Sequence, residues 1–505
     1  MNFMEKLVEN NGMGKKKFKT VCDVLYYVIP FIILGIAIYT AFNKVIWADE
    51  VFSMELAKHS FIELIQIDAR DVHPPLYYLI LRLAVLLFGK TANIICIGKL
   101  VSIIPYILLL IIGFTYIRNK YGDGVSFLFN LFIVGMPNML SYATEIRMYS
   151  WSTLFVTCAF LQLPLILTEE KENTLNYILL TIFSALSAYT HYFACVSAIA
   201  VYIEIFVLFL RKRNYIGMRK TLFSGIGVVV LFIPWFIVFI SQLSTVSGSY
   251  WIEPVSFFSV VDCILYLFSS KLLIEIVVIL IFLSGIVGMT RCSGEERNTA
   301  ICAIGVWLGT IIIGVVLSLI IRPIFVPRYL MGSAACLWLG TAIGVNQLFF
   351  NKRVKTIFLV IIVGICSLIS VKYLKFNLYQ SNNYKMTITC LEDYIDDDIV
   401  LLSDYNHIQM VGSFLYPQNM NLVYKDKLSE LTRDVYSDCT MGRINNISEL
   451  KDYKKGRLIV LDDNMPLNNG EDPSLKEELE KAGYEPKLLG DFWIDWYYFK
   501  MYVVE

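Results

Sequence analysis

Between residues 24 and 373 the sequence returns repeatedly to mostly apolar runs long enough to cross a bilayer. A spanning helix needs about 20 mostly apolar residues, and in hydrocarbon its backbone N–H and C=O groups must be paired within the segment. Such runs lie near 24–42, 94–117, 125–142, 150–167, 175–190, 193–210, 222–242, 273–290, 299–321, 330–349 and 355–373. They specify an α-helical polytopic membrane protein of about 11 transmembrane helices. Composition agrees: 57% of the 505 residues are hydrophobic, 17% are charged and mean hydropathy is +0.61, too apolar for a soluble globular chain. The formal net charge is zero, so no global charge argues for nucleic acid or an acidic partner, and local patterns carry the information.

Lys15, Lys16, Lys17 and Lys19 precede the first run. That run is longer than a signal-peptide core and further spans follow, so it reads as an uncleaved anchor. With these lysines cytoplasmic and sides alternating, Arg118 and Lys120, the cluster Arg211, Lys212, Arg213, Arg219 and Lys220, then Arg291 and Arg297, and finally Lys352, Arg353 and Lys355 all fall inside. The agreement requires that "PLYYLILRLAVLLF" at 75–88 does not cross, and we read it as a juxtamembrane or shallowly inserted helix started by Pro74-Pro75. The outer face of the cytoplasmic membrane then collects a first external loop, 43–93, with "SYATEIRMYSW" at 141–151, "YTHYF" at 189–193, the loop 243–272 and "IRPIFVPRYL" at 321–330. Residues 1–373 form the membrane domain. From 374 to 505 polar residues dominate and a small extracytoplasmic α/β domain is expected. Its strands are "DIVLLS", "NLVYK", "RLIVLD" and "WYYFKMYVV", and its helices 406–415, 446–454 and 473–483. Most cysteines lie in apolar runs as packing residues. Cys390 and Cys439 share the polar region, and a disulfide between them is left open. No solenoid repeat and no Walker, GxGxxG, CxxC or HExxH motif is present.

Residues 45–83 hold six carboxylates and two histidines beside a strongly apolar segment. Asp49-Glu50 reads as a general-base site at the membrane surface. On extended backbone neighbouring side chains point apart, so the two acids are expected to differ in role. One takes a proton from an incoming nucleophile; the other orients the loop, binds a cation or accepts a hydrogen bond from a substrate hydroxyl. Asp68, Asp71 and His73 follow, and the plainer reading of Asp71 or His73 is the N-cap of a helix started by Pro74-Pro75. His191 between aromatics suits a structural role as well as a chemical one, and an arginine at a helix end can simply snorkel.

Asp49-Glu50 at the start of the first external loop, followed by "DVHPPLYY", resembles the polytopic glycosyltransferases of the GT-C class, especially the protein O-mannosyltransferase-like group, glycosyltransferase family 39. "EIRMYSW" at 145–151 resembles the "EARMY" element of bacterial relatives, and "PRYL" at 327–330 a later signature. The resemblance spans roughly residues 20–373. It implies a lipid-linked donor, usually a polyprenyl-phosphate monosaccharide, and transfer with inversion to an acceptor hydroxyl outside the membrane. Asp49 would be the base with Glu50 in support, and Asp71, His73 and Glu145 would contact donor or acceptor. Arg147 and Arg328 would hold the phosphate, while Tyr149, His191, Tyr192 and Tyr329 would line the sugar or phosphate pocket. Residue 73 is His where lipid A aminoarabinose transferases have Lys in a comparable "KPP" element, which argues against that substrate. The acceptor stays open among protein, surface polysaccharide and lipid. A divalent cation is undecided, with Asp49, Glu50 and Asp71 as oxygen ligands of the right type. A transporter or flippase of lipid-linked glycans would instead place ionisable groups near mid-membrane on broken helices, with repeat symmetry. A non-catalytic scaffold leaves the opening acids unexplained. Lys99, inside an apolar run, has no role in any of these readings.

Overall fold

The apolar runs are helices, as internal backbone pairing requires. The computed structural model describes residues 12–168, 174–248, 252, 254–269, 271–348, 351–453, 456–463, 473–494 and 497–505. Residues 249–251, 253 and 270 of the expected outer loop lie outside them. Among the described residues, 7 helices are long and apolar enough to cross a membrane, and Leu25–Ala41, Leu76–Phe88 and Thr174–Thr190 are shorter apolar helices. One of the seven, Ile94–Gly135, contains the expected span 94–117 and the first part of 125–142, which breaks at Met136 before the short helix Met139–Thr144. Gly122, at φ 85°, adopts a left-handed conformation that a side chain would oppose, and the chain doubles back there. The Ser126 hydroxyl then donates to the Gly113 carbonyl at 2.6 Å. Leu76–Phe88 has 13 residues, roughly 20 Å of helix against a core of about 30 Å. Pro75 occupies its N-cap position and no side chain caps it, so neither Asp71 nor His73 does so.

The centre of the bundle is Met331–Gln347, buried from Met331 through Val345 and packed against Tyr149–Phe160, Leu272–Met289, Gly294–Ile320 and Arg118–Gly135. Small residues let the backbones meet. A Cβ on Gly288 would lie 1.9 Å from the Gly344 carbonyl oxygen, so even alanine would force these two helices apart. Tyr215–Gly248 is peripheral, with Val229, Ile233, Phe236 and Ile237 exposed to what a bilayer would fill with lipid.

The helix Lys352–Glu392 runs without a break through residue 374. The sequence change there therefore marks where a helix becomes polar, not where it ends. Beyond it lies a sheet of β1 (Val400–Ser403), β2 (Met420–Tyr424), β3 (Met441–Ile444), β4 (Leu458–Asp462), β5 (Lys487–Ile494) and β6 (Tyr497–Val504). The order is β3-β2-β1-β4-β6-β5, parallel from β3 through β4, with β6 antiparallel to β4 and β5 to β6. Alternation sorts the side chains. Val400, Leu402, Leu458 and Val460 face a core closed by Leu475 and Leu479, while Leu401, Ile459, Met501 and Val503 join the core that continues into the membrane part. On that side Asn406–Leu415 packs on Ala48–Leu56, and Glu430–Val435 on both Ala48–Leu56 and Phe61–Asp68. Arg70 pairs with Asp434 at 2.7 Å and His59 Nε2 lies 3.0 Å from the Val435 carbonyl, so the α/β domain and the first loop share one face of the molecule. Cys390 and Cys439 are both free thiols.

Candidate active site

Asp49 and Glu50 occupy the first turn of Ala48–Leu56, where the exposed N–H groups of a helix favour acids. The expectation of extended backbone is therefore corrected. The two side chains still diverge, because adjacent helical residues are about 100° apart. Asp49 is 27% exposed, its carboxylate 3.6 Å from the Arg328 guanidinium and 3.9 Å from that of Arg147. Glu50 is fully buried, 2.5 Å from the equally buried Lys99 ammonium, and accepts the Ile146 N–H at 2.8 Å. This pair accounts for Lys99. It ties the first-loop helix to Ile94–Ile112 and to the backbone that presents Glu145 and Arg147.

Arg147 gathers the loop around itself. Its Nη1 donates to the Asp49 carbonyl at 3.3 Å, the Ser53 hydroxyl at 3.2 Å and the Tyr78 hydroxyl at 3.3 Å, and its Nη2 lies 3.5 Å from His73 Nε2. His73 Nδ1 is 3.1 Å from the Asp71 carboxylate. Burial opposes ionisation of Asp71, but the hydrogen bond and charge of His73, with Arg147, hold its carboxyl below the usual range. Asp68 is the reverse case. It is fully buried, neither carboxyl oxygen has a hydrogen-bond partner, and burial with Asp71 nearby pushes it well above the usual range. Glu145 is buried as well. Burial pushes it up to about 7 against the pull of Lys44, with Glu50 adding to the rise.

His191 starts the helix Tyr192–Arg211 and accepts the Phe193 N–H on Nδ1 at 3.0 Å, which leaves the proton on Nε2. That nitrogen and the Tyr149 hydroxyl are buried without hydrogen-bond partners. The His191 ring lies 4.7 Å from Tyr329, 5.7 Å from Tyr149 and 5.8 Å from His73. His73, His191 and Tyr329 open onto a cavity of about 530 Å³ whose remaining wall is mostly apolar, including Phe193, Phe232 and Phe236. A second apolar groove of about 560 Å³ shares Cys195, Ile199, Val228 and Val229 with it and continues to Phe206.

Tyr192 lines the cavity too, but its hydroxyl is engaged. It donates to Gln242 Oε1 and accepts from Trp235 Nε1 at 3.1 Å. The buried Gln242 in turn donates to the carbonyls of Asp68 at 2.9 Å and His73 at 3.4 Å. Sequence reasoning passed over Gln242, since a lone amide near the end of an apolar run gives no local signal.

Asp49, Glu50 and Asp71 do not form a ligand set, since they face Arg328, Lys99 and His73 respectively. Among the described residues, the acidic group whose oxygens converge within 4.8 Å is Asp404, Asp462 and Asp463, in the α/β domain.

No family model matches the chain, and no curated protein matches its sequence. Solved structures do match its fold. The crystal structure of ArnT from Cupriavidus metallidurans in the apo state aligns over 96% of this chain and 98% of that one, at 11% identity and a TM-score of 0.62. The same protein bound to undecaprenyl phosphate aligns over the same shares at 12% identity and a TM-score of 0.62. The architecture is thus that of a GT-C-like polytopic membrane protein with a small C-terminal sheet domain.

Proposed function

We propose that the protein is an inverting glycosyltransferase that moves a monosaccharide from a polyprenyl-phosphate donor to an acceptor hydroxyl at the outer face of the cytoplasmic membrane. One observation carries this reading. A part-exposed carboxylate, Asp49, faces two guanidinium groups, and the neighbours of those groups, His73 and Tyr329, open an apolar cavity. A ligand suited to that arrangement has an anionic head and a long apolar tail. That ArnT, similar to this chain in fold, binds undecaprenyl phosphate supports the same ligand class.

In the reaction the acceptor O–H gives its proton to Asp49 as its oxygen bonds to the anomeric carbon. The bond from that carbon to the phosphate oxygen breaks, and the electron pair leaves on the lipid phosphate. Arg147 and Arg328 stabilise the charge that grows there, each able to bond two phosphate oxygens. Asp71 fixes the ring of His73, and His73, His191, Tyr149 and Tyr329 surround the sugar. Glu50, buried against Lys99, holds the helix that presents Asp49. The site carboxylates do not fit a cation cage, and no step runs through a metal. Transfer of radiolabelled sugar from a panel of polyprenyl-phosphate donors to membrane extract tests the proposal. One donor should give label with the parent protein and almost none with Asp49→Asn. No label above protein-free membranes from any donor, or equal label from both proteins, would overturn it.

A further inference from the structure

The helix Tyr192–Arg211 has the candidate site at one end, where His191 caps it, and a basic turn at the other. Between 211 and 220, on the way into Tyr215–Gly248, the chain carries Arg211, Lys212, Arg213, Arg219 and Lys220. Arg211, Lys212, Arg213 and Arg219 are exposed and, among the described residues, form no ion pair. Arg213 takes a left-handed backbone conformation, φ 53°, where glycine is the usual residue after a helix, so a cation is kept there against a backbone preference. The turn is ordered by its own bonds. Asn214 donates its N–H to the Phe209 carbonyl at 2.9 Å and accepts the Gly217 N–H on its side chain at 2.8 Å. The apolar groove of about 560 Å³ begins just inside this turn, with Phe206 and Val207 lining it before Arg211 and Thr221 and Leu222 directly after Lys220. It runs from there to Cys195 and Val229. From Val207 to Cys195 is roughly 18 Å of helix, near half of a hydrocarbon core about 30 Å thick. The Tyr202 hydroxyl pairs with that of Ser224 at 2.7 Å and Thr221 donates to the Gly217 carbonyl at 2.8 Å, so these groups leave the wall apolar. Exposed Leu222, Ile226 and Val229 leave it open to the side.

We propose that this groove holds an anionic phospholipid of the leaflet opposite the candidate site, with an acyl chain along the two helices and its phosphate on the basic turn. A phospholipid matches both halves of the feature. Its chain is about half a bilayer long, and its charge lies at the interface, where each nearby Lys or Arg attracts an anionic head group. Exposed Tyr215 stands among the cations, as an aromatic residue at head-group level does. A polyprenyl tail entering from the candidate site, past the shared Cys195, Ile199, Val228 and Val229, would cover the same wall. Its far end is uncharged and gives the cations nothing to meet. The lipid site is independent of whether the protein transfers sugar.

The experiment places the purified full-length protein in phosphatidylcholine vesicles with a trace of radiolabelled phosphatidylglycerol or phosphatidylcholine, each bearing a photoactivatable group on one acyl chain. On irradiation phosphatidylglycerol should label peptides from 195–229 at least about tenfold more than phosphatidylcholine does, the selectivity expected of two or more engaged cations. The lipid-facing helix Leu272–Met289 should take up both equally. Arg213→Gln combined with Arg219→Gln should remove most of the preference at the parental thermal midpoint, and the corresponding Lys pair should keep it. Gly225 lines the groove and a Cβ there would lie 3.8 Å from the Tyr202 ring, so Gly225→Leu fits the backbone, fills the groove and should lower labelling by phosphatidylglycerol. Equal labelling of 195–229 by the two lipids would overturn the proposal. So would a preference that survives loss of both arginines, or labelling unchanged by Gly225→Leu. Displacement of the label by undecaprenyl phosphate at lower concentration than by unlabelled phosphatidylglycerol would overturn it too, giving the groove to a polyprenyl tail.

Discussion

Asp49 and Glu50 share a helical turn and differ in what decides a carboxylate's behaviour, exposure and partner. Asp49→Asn removes the proton acceptor at a site open to water, so the protein should unfold at the parental temperature while transfer falls about 10²–10⁴-fold, the usual effect of losing a general base. Glu50→Gln leaves the Lys99 ammonium, fully buried, without its counter-charge, and breaking such a pair costs about 3–5 kcal/mol. It should lower the thermal midpoint sharply, and adding Lys99→Met should restore it. Equal midpoints for Glu50→Gln and parent would remove the structural role assigned to the pair. Glu145 gives a pH signature. Its carboxyl is raised from 4.5 to about 7 by burial first. The folded state therefore keeps a proton that the unfolded chain releases. That contribution to stability is fully present below the unfolded value and is lost as pH rises through about 7. The midpoint should decline from pH 5 to pH 8, and Glu145→Gln should flatten the decline. Asp71, depressed rather than raised, contributes in the opposite sense, and its loss would appear only below the ordinary carboxyl range.

Among elements, the helix Tyr215–Gly248 joins a largely lipid-facing surface to the site through one amide. Gln242 holds the carbonyls of Asp68 and His73 with its NH₂ group and receives the Tyr192 hydroxyl on its oxygen. Gln242→Glu keeps the acceptor for Tyr192 but replaces the donor with an oxygen that repels both carbonyls. Single-turnover transfer should fall by at least about tenfold, as expected for lost hydrogen bonds between buried groups, while Tyr192→Phe should be milder. Parental transfer by Gln242→Glu would show that the tie does not position His73. Such ties were not legible in the sequence. Hydrophobic runs and Pro74-Pro75 act locally, so helices and the start of Leu76–Phe88 at the Pro pair could be read from a short window, though the cap expected from Asp71 or His73 is not made. Gln242 and its partners lie 174, 169 and 50 positions apart, and Glu50 is 49 from Lys99. Strand β3, "MGRI", carries Gly and Arg, and β5 is interrupted at Gly490 by an irregular register, so neither reads as the short apolar run that marks the other four. The first-loop cluster was legible for the opposite reason, that charge beside an apolar segment needs a cause.

At the scale of the whole molecule, the contacts between the first loop and the α/β domain constrain topology without reference to any membrane. Arg70 with Asp434 and His59 with Val435 require residues 43–93 and the sheet to lie on one side. The basic residues carry the expectation of which side, because Lys and Arg concentrate in cytoplasmic loops. Arg211 ends the helix that His191 caps, and Lys212 and Arg213 follow it, so all three sit at its far end from the candidate site. With that end cytoplasmic, as we propose, the site would open outside, where the proposed lipid-linked donor would meet its acceptor. Three exposed positions test this: Lys90→Cys in the first loop, Asp397→Cys just before β1, and Lys212→Cys at the basic end. An impermeant thiol reagent applied to intact cells should label the first two above the parental background, and Lys212→Cys only after permeabilisation. Labelling of Lys90→Cys without Asp397→Cys would contradict the docking of the α/β domain. Labelling of Lys212→Cys alone would invert the protein, placing Asp49 and both arginines in the cytoplasm and removing the basis for transfer at the outer face.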